Sequence, residues 1–140
     1  MLSLSGESAT FSGEHALGKY ATAEGNNCIA LGNLLEDTVL PQAMIDSFES
    51  STGNLTERLL LALEAGLAAG GEAGPVRSAG ILVAAADTQW PVVDLRVDWH
   101  VEPIHELRMV WQNYEPQMDA YVTRYKNPAG SESFGVPGDE

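Results

Sequence analysis

The sequence predicts an α+β layered domain, in which short antiparallel strands flank a consecutive pair of helices. Two observations carry this reading. Two helical segments, "EDTVLPQAMIDSFESS" and "NLTERLLLALEAGLAAG", follow one another with strand-like stretches on both sides. Further on, "RSAGILVAAA" and "VVDLRVDWH" are separated by only "DTQWP", too short for a parallel crossover and suited to an antiparallel hairpin. A doubly wound sheet would alternate strand and helix instead.

At the amino terminus, "LSLSGESATFSG" reads as two short strands around a Ser5-Gly6 turn, because Leu2 and Leu4 alternate with serines. "NNCIALGN" reads as a third strand ending at Gly32-Asn33. In the next segment Leu40, Met44 and Phe48 recur at helical spacing, and Pro41 belongs in the first turn, where a missing N–H does least harm. The second helix has Asn54 as N-cap and Glu57 three residues on, the spacing of a capping box. Glu57, Leu61 and Glu64 share one narrow face; the rest is nearly all apolar, so other elements should cover this helix on most sides.

The stretch "LEAGLAAGGEAGPVRSAGILVA" poses a choice between a phosphate-cradling loop and the corner between a helix and a strand. A phosphate loop requires G-x-x-x-x-G-K-[ST]; Gly70 to Ser78 holds no lysine, and Glu72 would repel an anion. The corner is the better reading, with Gly70-Gly71 as the C-cap and Arg77-Ser78 left as a polar pair at the strand entrance. "RSAGILVAAA" is apolar on both alternating faces, the pattern of a central strand buried above and below. "VVDLRVDWH" alternates strictly, with Val93, Leu95, Val97 and Trp99 on one face and Asp94, Arg96, Asp98 and His100 on the other. Pro103 opens a helix with Ile104, Leu107, Trp111 and Tyr114 as its core stripe. Pro116 is expected to kink or restart it, before Met118, Tyr121, Val122 and Tyr125 carry a second stripe. Residues 1–126 form the expected domain, and 127–140 a Gly/Pro/Ser-rich tail, with Phe134 as its one possible anchor.

Composition bounds the function. The 140 residues suit one domain, and 44% apolar content suffices for a core. Twenty acidic against seven basic residues give a net charge of −13, which argues against nucleic acid and anionic membranes as partners. Cys28 is the only cysteine, so no disulfide can form within one chain. The amino terminus lacks a basic region followed by an apolar one, and the apolar runs are shorter than the ~20 residues of a membrane span. The expected location is the cytoplasm, where the sequon at Asn54 would go unused.

Three groups of residues could carry chemistry, each with a plainer alternative. Gly32-Asn33 could offer an amide or backbone N–H to an oxyanion, or be only a turn. Asp94, Arg96, Asp98 and His100 could line a polar cleft with His100 as acid or base, or form a salt-bridged solvent face. His15, Cys28, His100 and His105 have no metal-binding spacing, so no metal and no cofactor is expected. Cys28 alternates with apolar neighbours as a small core residue does. Trp90 and Trp99 read as interface anchors rather than ligand stackers.

The segments "FSG", "LGNLL", "PQAMIDSFE", "ERLLLALEAGLAAGGEAGPVRSAGILV" and "VDLRVDWHVEPIHEL", in this order, resemble the carboxy-terminal part of the family of unknown function numbered 1028. The resemblance spans Ser3 to Tyr125. It implies a fold like the N-terminal-nucleophile (Ntn) hydrolases, a four-layer α-β-β-α sandwich. Family members often read Gln-Gly-Asn where this chain has Leu31-Gly32-Asn33, and Asp-Arg-Arg-Gly-Arg-Gln-Ser-Ala where it has Glu72 to Ala79. Their opening strand, with Thr or Ser after the initiator Met, and the two strands and helical segment that follow it have no counterpart here. The resemblance therefore implies an incomplete sandwich without its own nucleophile. The chain is expected to act as a structural or ligand-binding subunit, paired with a copy of itself or with a chain supplying the missing strands. The alternative is a subunit of an amide-bond hydrolase completed by a separate nucleophile chain. In either case Gly32, Asn33, Arg77, Ser78, Asp94, Arg96 and Asp98 are the expected ligand contacts.

Overall fold

The computed structural model describes residues 1–138. Among these residues the fold is α+β, with two separate antiparallel hairpins and three α-helices. The elements in order are β1 (Lys19–Gly25), β2 (Cys28–Leu35), α1 (Leu40–Ser50), α2 (Leu55–Ala68), β3 (Ala79–Ala84), β4 (Pro91–Val97) and α3 (Pro103–Lys126). A short 3-10 turn, Pro128–Gly130, follows α3.

The first hairpin departs from expectation at both ends. Residues 1–12 do not form two strands; Leu2 and Ser8 make one isolated bridge around a turn with Gly6 at φ +88°. Serine hydroxyls here bond locally, Ser3 to Ser5 and Ser5 to Glu7, in place of a ladder. The true first strand is β1, whose "KYATAEG" hides its alternation because only Ala23 is buried. It turns into β2 through Asn26-Asn27, with Asn27 at φ +58°, a left-handed conformation that a two-residue hairpin loop demands and Asn tolerates. Gly32 and Asn33 lie inside β2 rather than at its end, with Gly32 opposite Ala21. A bulge follows, and Leu34 takes φ +53°, so that Leu35 turns inward and is buried.

The two helices match expectation closely. Pro41 sits in the first turn of α1, which buries Leu40, Ile45 and Phe48. The Asn54 side chain caps α2, its Oδ1 accepting from the Glu57 N–H at 2.9 Å. The capping box is one-sided, however, because the Glu57 carboxylate turns away to α3. At the other end the Gly71 N–H bonds the Gly66 carbonyl at 3.1 Å, with Gly71 at φ +65°. Gly66 also admits α1: a Cβ there would lie 3.0 Å from Met44 Cγ.

The second hairpin pairs Leu82 with Asp94 and Gly80 with Arg96. β3 is not buried on both faces. Ile81 and Val83 are buried, whereas Gly80 and Ala84 are exposed and Leu82 is 62% exposed. The physical reason is that each sheet stops at two strands, and no described element covers the outer face. Trp99 lies beyond the end of β4 and is 78% exposed, so it does not share the buried face of Val93. α3 runs through Pro116 as one helix of 24 residues. Pro116 and Gln112 are both exposed, so the carbonyl freed by the missing N–H meets water. Past the helix, the Arg124 guanidinium lies 4.1 Å from the Phe134 ring centroid and donates to the Glu132 carbonyl, folding the chain back. The last two residues of the expected 127–140 tail lie outside the described residues.

Two apolar clusters hold these parts. Leu60 of α2, Ile81 and Val83 of β3, Val93 of β4, and Leu107 and Trp111 of α3 form the larger. Ala23, Ala30 and Ile45, with Cys28 and Met44, form a smaller one between the first hairpin and α1. The amino-terminal arm is held differently. Ser8 and Thr10 both donate hydroxyl hydrogen bonds to the Glu24 carboxylate on β1. These bonds, Ser8 first, hold the Glu24 carboxyl below its ordinary value. A depressed carboxyl contributes attachment that is complete above its unfolded pKa and is lost as pH falls through the folded one. We expect amide exchange in residues 2–10 to be unchanged from pH 7 down to ~5 and to speed up below ~4, after correction for intrinsic rates, with Glu24→Gln showing fast exchange throughout.

Candidate functional site

A cleft of ≈430 Å³ lies between the two hairpins. One wall is Asn27 to Ala30 at the start of β2; the other is Gly80, Ile81 and Leu82 of β3. Residues of α1 and α2, among them Met44, Phe48, Leu59 and Leu63, complete it, and Leu2 of the amino-terminal arm lies at its edge. The lining contains no charged side chain. β1 and β4 contribute nothing to it, so the cleft lies on the sides of β2 and β3 away from their hairpin partners. At its far end β2 is closed off. Leu35 bridges Glu72, the Glu36 N–H bonds Gly71 O, and the Ala73 N–H bonds Leu34 O.

The residues expected to bind a ligand are divided between the two hairpins. Gly32 packs against Leu35, and a Cβ there would lie 2.7 Å from Leu35 Cδ2, so its glycine identity has a packing cause. Asn33 is exposed beside it. On the second hairpin Arg77 and His100 are brought together, the His100 N–H bonding the Arg77 carbonyl at 2.8 Å just beyond the strand ends. The Arg77 guanidinium stands 5.9 Å from the Trp99 ring centroid. Arg96 and Asp98 form a long, exposed ion pair of 3.9 Å, and Ser78 is exposed at the entrance to β3. Pairs of that kind contribute little stability. Asp94 faces a different place, an open groove with Trp90, Tyr114, Tyr121 and Tyr125 between β4 and α3. His100 Nδ1 accepts from the Glu102 N–H at 3.2 Å, which leaves the ring proton on Nε2. Burial, with help from the Glu49 charge, pushes the Cys28 thiol above its ordinary value. Among the described residues no cluster of three or more His, Cys, Asp or Glu could hold a metal, and no helix is long and apolar enough to cross a membrane.

The best-organised polar group is one that spacing alone did not single out. Arg108 of α3 bridges two carboxylates of α2, with Nη1 at 2.7 Å from Glu57 Oε1 and Nε at 2.8 Å from Glu64 Oε1. Trp111 Nε1 donates to Glu57 Oε2 at 3.1 Å, so the buried indole is satisfied by the same carboxylate. The Glu64 and Glu57 carboxylates hold the guanidinium proton more firmly than usual, against the opposing effect of burial. The signal in the sequence was the pair of glutamates on the otherwise apolar face of α2, which called for a cation. Nothing in the spacing said that it would arrive from residue 108.

Fold and cleft together define a small α+β protein with an apolar seam between two strand hairpins. The chain belongs to a family of unknown function, DUF1028, whose model matches residues 1–107. The crystal structure of protein SPO2555 from Silicibacter pomeroyi, of the same family, aligns with a TM-score of 0.65 at 34% identity. That alignment covers 74% of this chain and 44% of the other, so this chain spans less than half the length of that relative. Among curated proteins nothing matches the chain.

The Arg108 bridge sets a measurable expectation. Arg108→Ala leaves two partly buried carboxylates facing each other, and we expect a loss of ~1–3 kcal/mol in urea unfolding. Arg108→Lys should recover only part of it, because one ammonium cannot reproduce the planar fork that spans both carboxylates.

Proposed function

We propose that these residues form part of a larger cytoplasmic assembly, with Ntn-hydrolase-like layering and a structural or ligand-binding role, and that none of them serves as a nucleophile. Residues 1–126 are the working unit and 127–140 an appended tail. The observation that carries this reading is the apolar cleft with an unpartnered strand edge on each side. Sheet edges and apolar surface left bare in this way are a liability in a lone chain and an asset in an assembly.

The arrangement of polar groups agrees with a binding role. Arg77, Ser78, Arg96 and Asp98 are a charged margin at the open end of the second hairpin; Asp94, Gly32 and Asn33 stand apart from it and would reach a common ligand only through added elements. Cys28, whose thiol is held protonated by burial, is a poor nucleophile. His100, with Nδ1 engaged, is an orienting or proton-donating group at most.

Light scattering on the purified chain, with dye binding to exposed apolar surface, tests the reading. We expect a mass that rises above 14.9 kDa with concentration, together with dye binding, as the open seam drives association. A concentration-independent 14.9 kDa particle that unfolds in one cooperative step and binds no dye would overturn it.

A further inference from the structure

We propose that the groove between β4 and α3 is a docking site for a proline-rich segment of a partner protein, one that carries a basic residue beside its prolines. The groove has a volume of ≈610 Å³ and shares no residue with the seam between the hairpins, so the inference stands independently of the assembly reading. Its floor is aromatic. Tyr114, Tyr121 and Tyr125 recur along α3, and Trp90 joins them from the connection into β4. Tyr114 and Tyr121 stack, with centroids 6.1 Å apart and planes 17° from parallel, and Trp90 meets Tyr125 edge to face at 5.2 Å. The rings touch in pairs and pave a surface; they do not enclose a cage. From Tyr114 to Tyr125 the helix rises about 16 Å, the length of about five residues of polyproline II.

Hydrogen bonding selects the backbone of the ligand. The Trp90 indole N–H is buried without an acceptor among the described residues, and the exposed Tyr121 and Tyr125 add two hydroxyls. A polyproline II segment brings the complement, because its prolines have no N–H and its carbonyls make no internal hydrogen bonds. Docking turns the Trp90 indole so that an entering carbonyl accepts from it. A helix spends its carbonyls on itself. A strand would need the backbone edge of β4, but at the groove Pro91 has no N–H and the Val92 carbonyl already accepts from the Tyr114 hydroxyl at 2.8 Å. Aromatic-lined grooves of this kind suit polyproline II because the ligand is ordered before it binds. Among the described residues Asp94 is the one charged side chain of the lining, and it is exposed, which places a basic residue on the ligand. A second copy of these residues does not fit, because their seven prolines stand singly.

The test titrates the full chain with a synthetic peptide of about eight prolines ending in one arginine, followed by the indole N–H resonances of its three tryptophans. Trp90→Phe identifies the Trp90 resonance by its loss. We expect that resonance to shift as peptide is added, while those of Trp99 and Trp111 stay in place. Affinity should exceed that for a Gly/Ser peptide of equal length and charge by at least about tenfold. Tyr121→Ser should weaken binding by a similar factor, and Asp94→Asn by about threefold. Both side chains are exposed, so the melting temperature of the free chain should stay within a few degrees in either variant. A peptide without the arginine should bind Asp94→Asn and the parent chain equally. No binding at about 1 mM peptide, equal binding of the Gly/Ser peptide, or binding indifferent to Tyr121→Ser overturns the proposal. So does a Trp90 shift with tetramethylammonium and none with the peptide, which would make the groove a site for a small organic cation.

Discussion

Arg108 joins two helices through a single side chain, reaching Glu57 and Glu64 across separations of 51 and 44 residues in sequence. The larger of the two apolar clusters lies against that junction. Beneath it Leu60, Leu107 and Trp111 are fully buried, and β3 and β4 close the same cluster from the other side. The bridge lets two acidic groups stand on an otherwise apolar helix face at the margin of the core, where unpaired carboxylates would be costly. It also supplies a hydrogen-bond acceptor for the buried indole of Trp111. One guanidinium thus resolves the conflicts of three other side chains.

The same economy runs through the chain. With seven basic residues against twenty acidic ones, cations are scarce, and they are spent where separate segments meet. Arg58 donates to the Phe48 carbonyl and lies over that ring, fastening α1 to α2. Lys19 reaches the Glu36 carbonyl across the first hairpin, Lys126 pairs with Asp87 in the β3–β4 connection, and Arg124 holds the segment after α3. Arg96 is different, since among the described residues its ion pair is with Asp98 two residues on, in solvent. Arg96 is therefore the exception among these cations, paired within its own strand end rather than between segments.

How much of this was legible in the sequence follows from the range of each signal. Local signals were read well: the Asn54 cap, Pro41 in a first turn, the Gly70-Gly71 exit, and the alternation of β4 all act within a few residues. β1 was missed because Lys19 to Gly25 carries small and charged residues that bury only Ala23, so its pairing is set by the Asn26-Asn27 turn and by β2. The amino-terminal alternation of leucines and serines mimics a strand without forming one, since the serines bond locally and need no neighbour. The Arg108 bridge was invisible to any window because it depends on where α3 crosses α2. For the site, the grouping of Arg77 with His100 was only half visible: the residues were marked, but the backbone bond that joins them was not.

The departure at β3 has a different character. Its sequence, Ala-Gly-Ile-Leu-Val-Ala, is written for burial on both faces, yet Leu82 stands in solvent and one strand edge is bare. A misjudged surface strand would carry polar residues on its outer face, as β4 does with Asp94 and Arg96. Here the outer face is as apolar as the inner one. Isolated two-stranded hairpins are marginal in water, and helices α2 and α3 support this one from a single side only. Local pattern and local environment therefore disagree at β3 and agree at β4, although the two strands are partners in one ladder. The apolar outer face of β3 calls for a covering layer, and no described element supplies one.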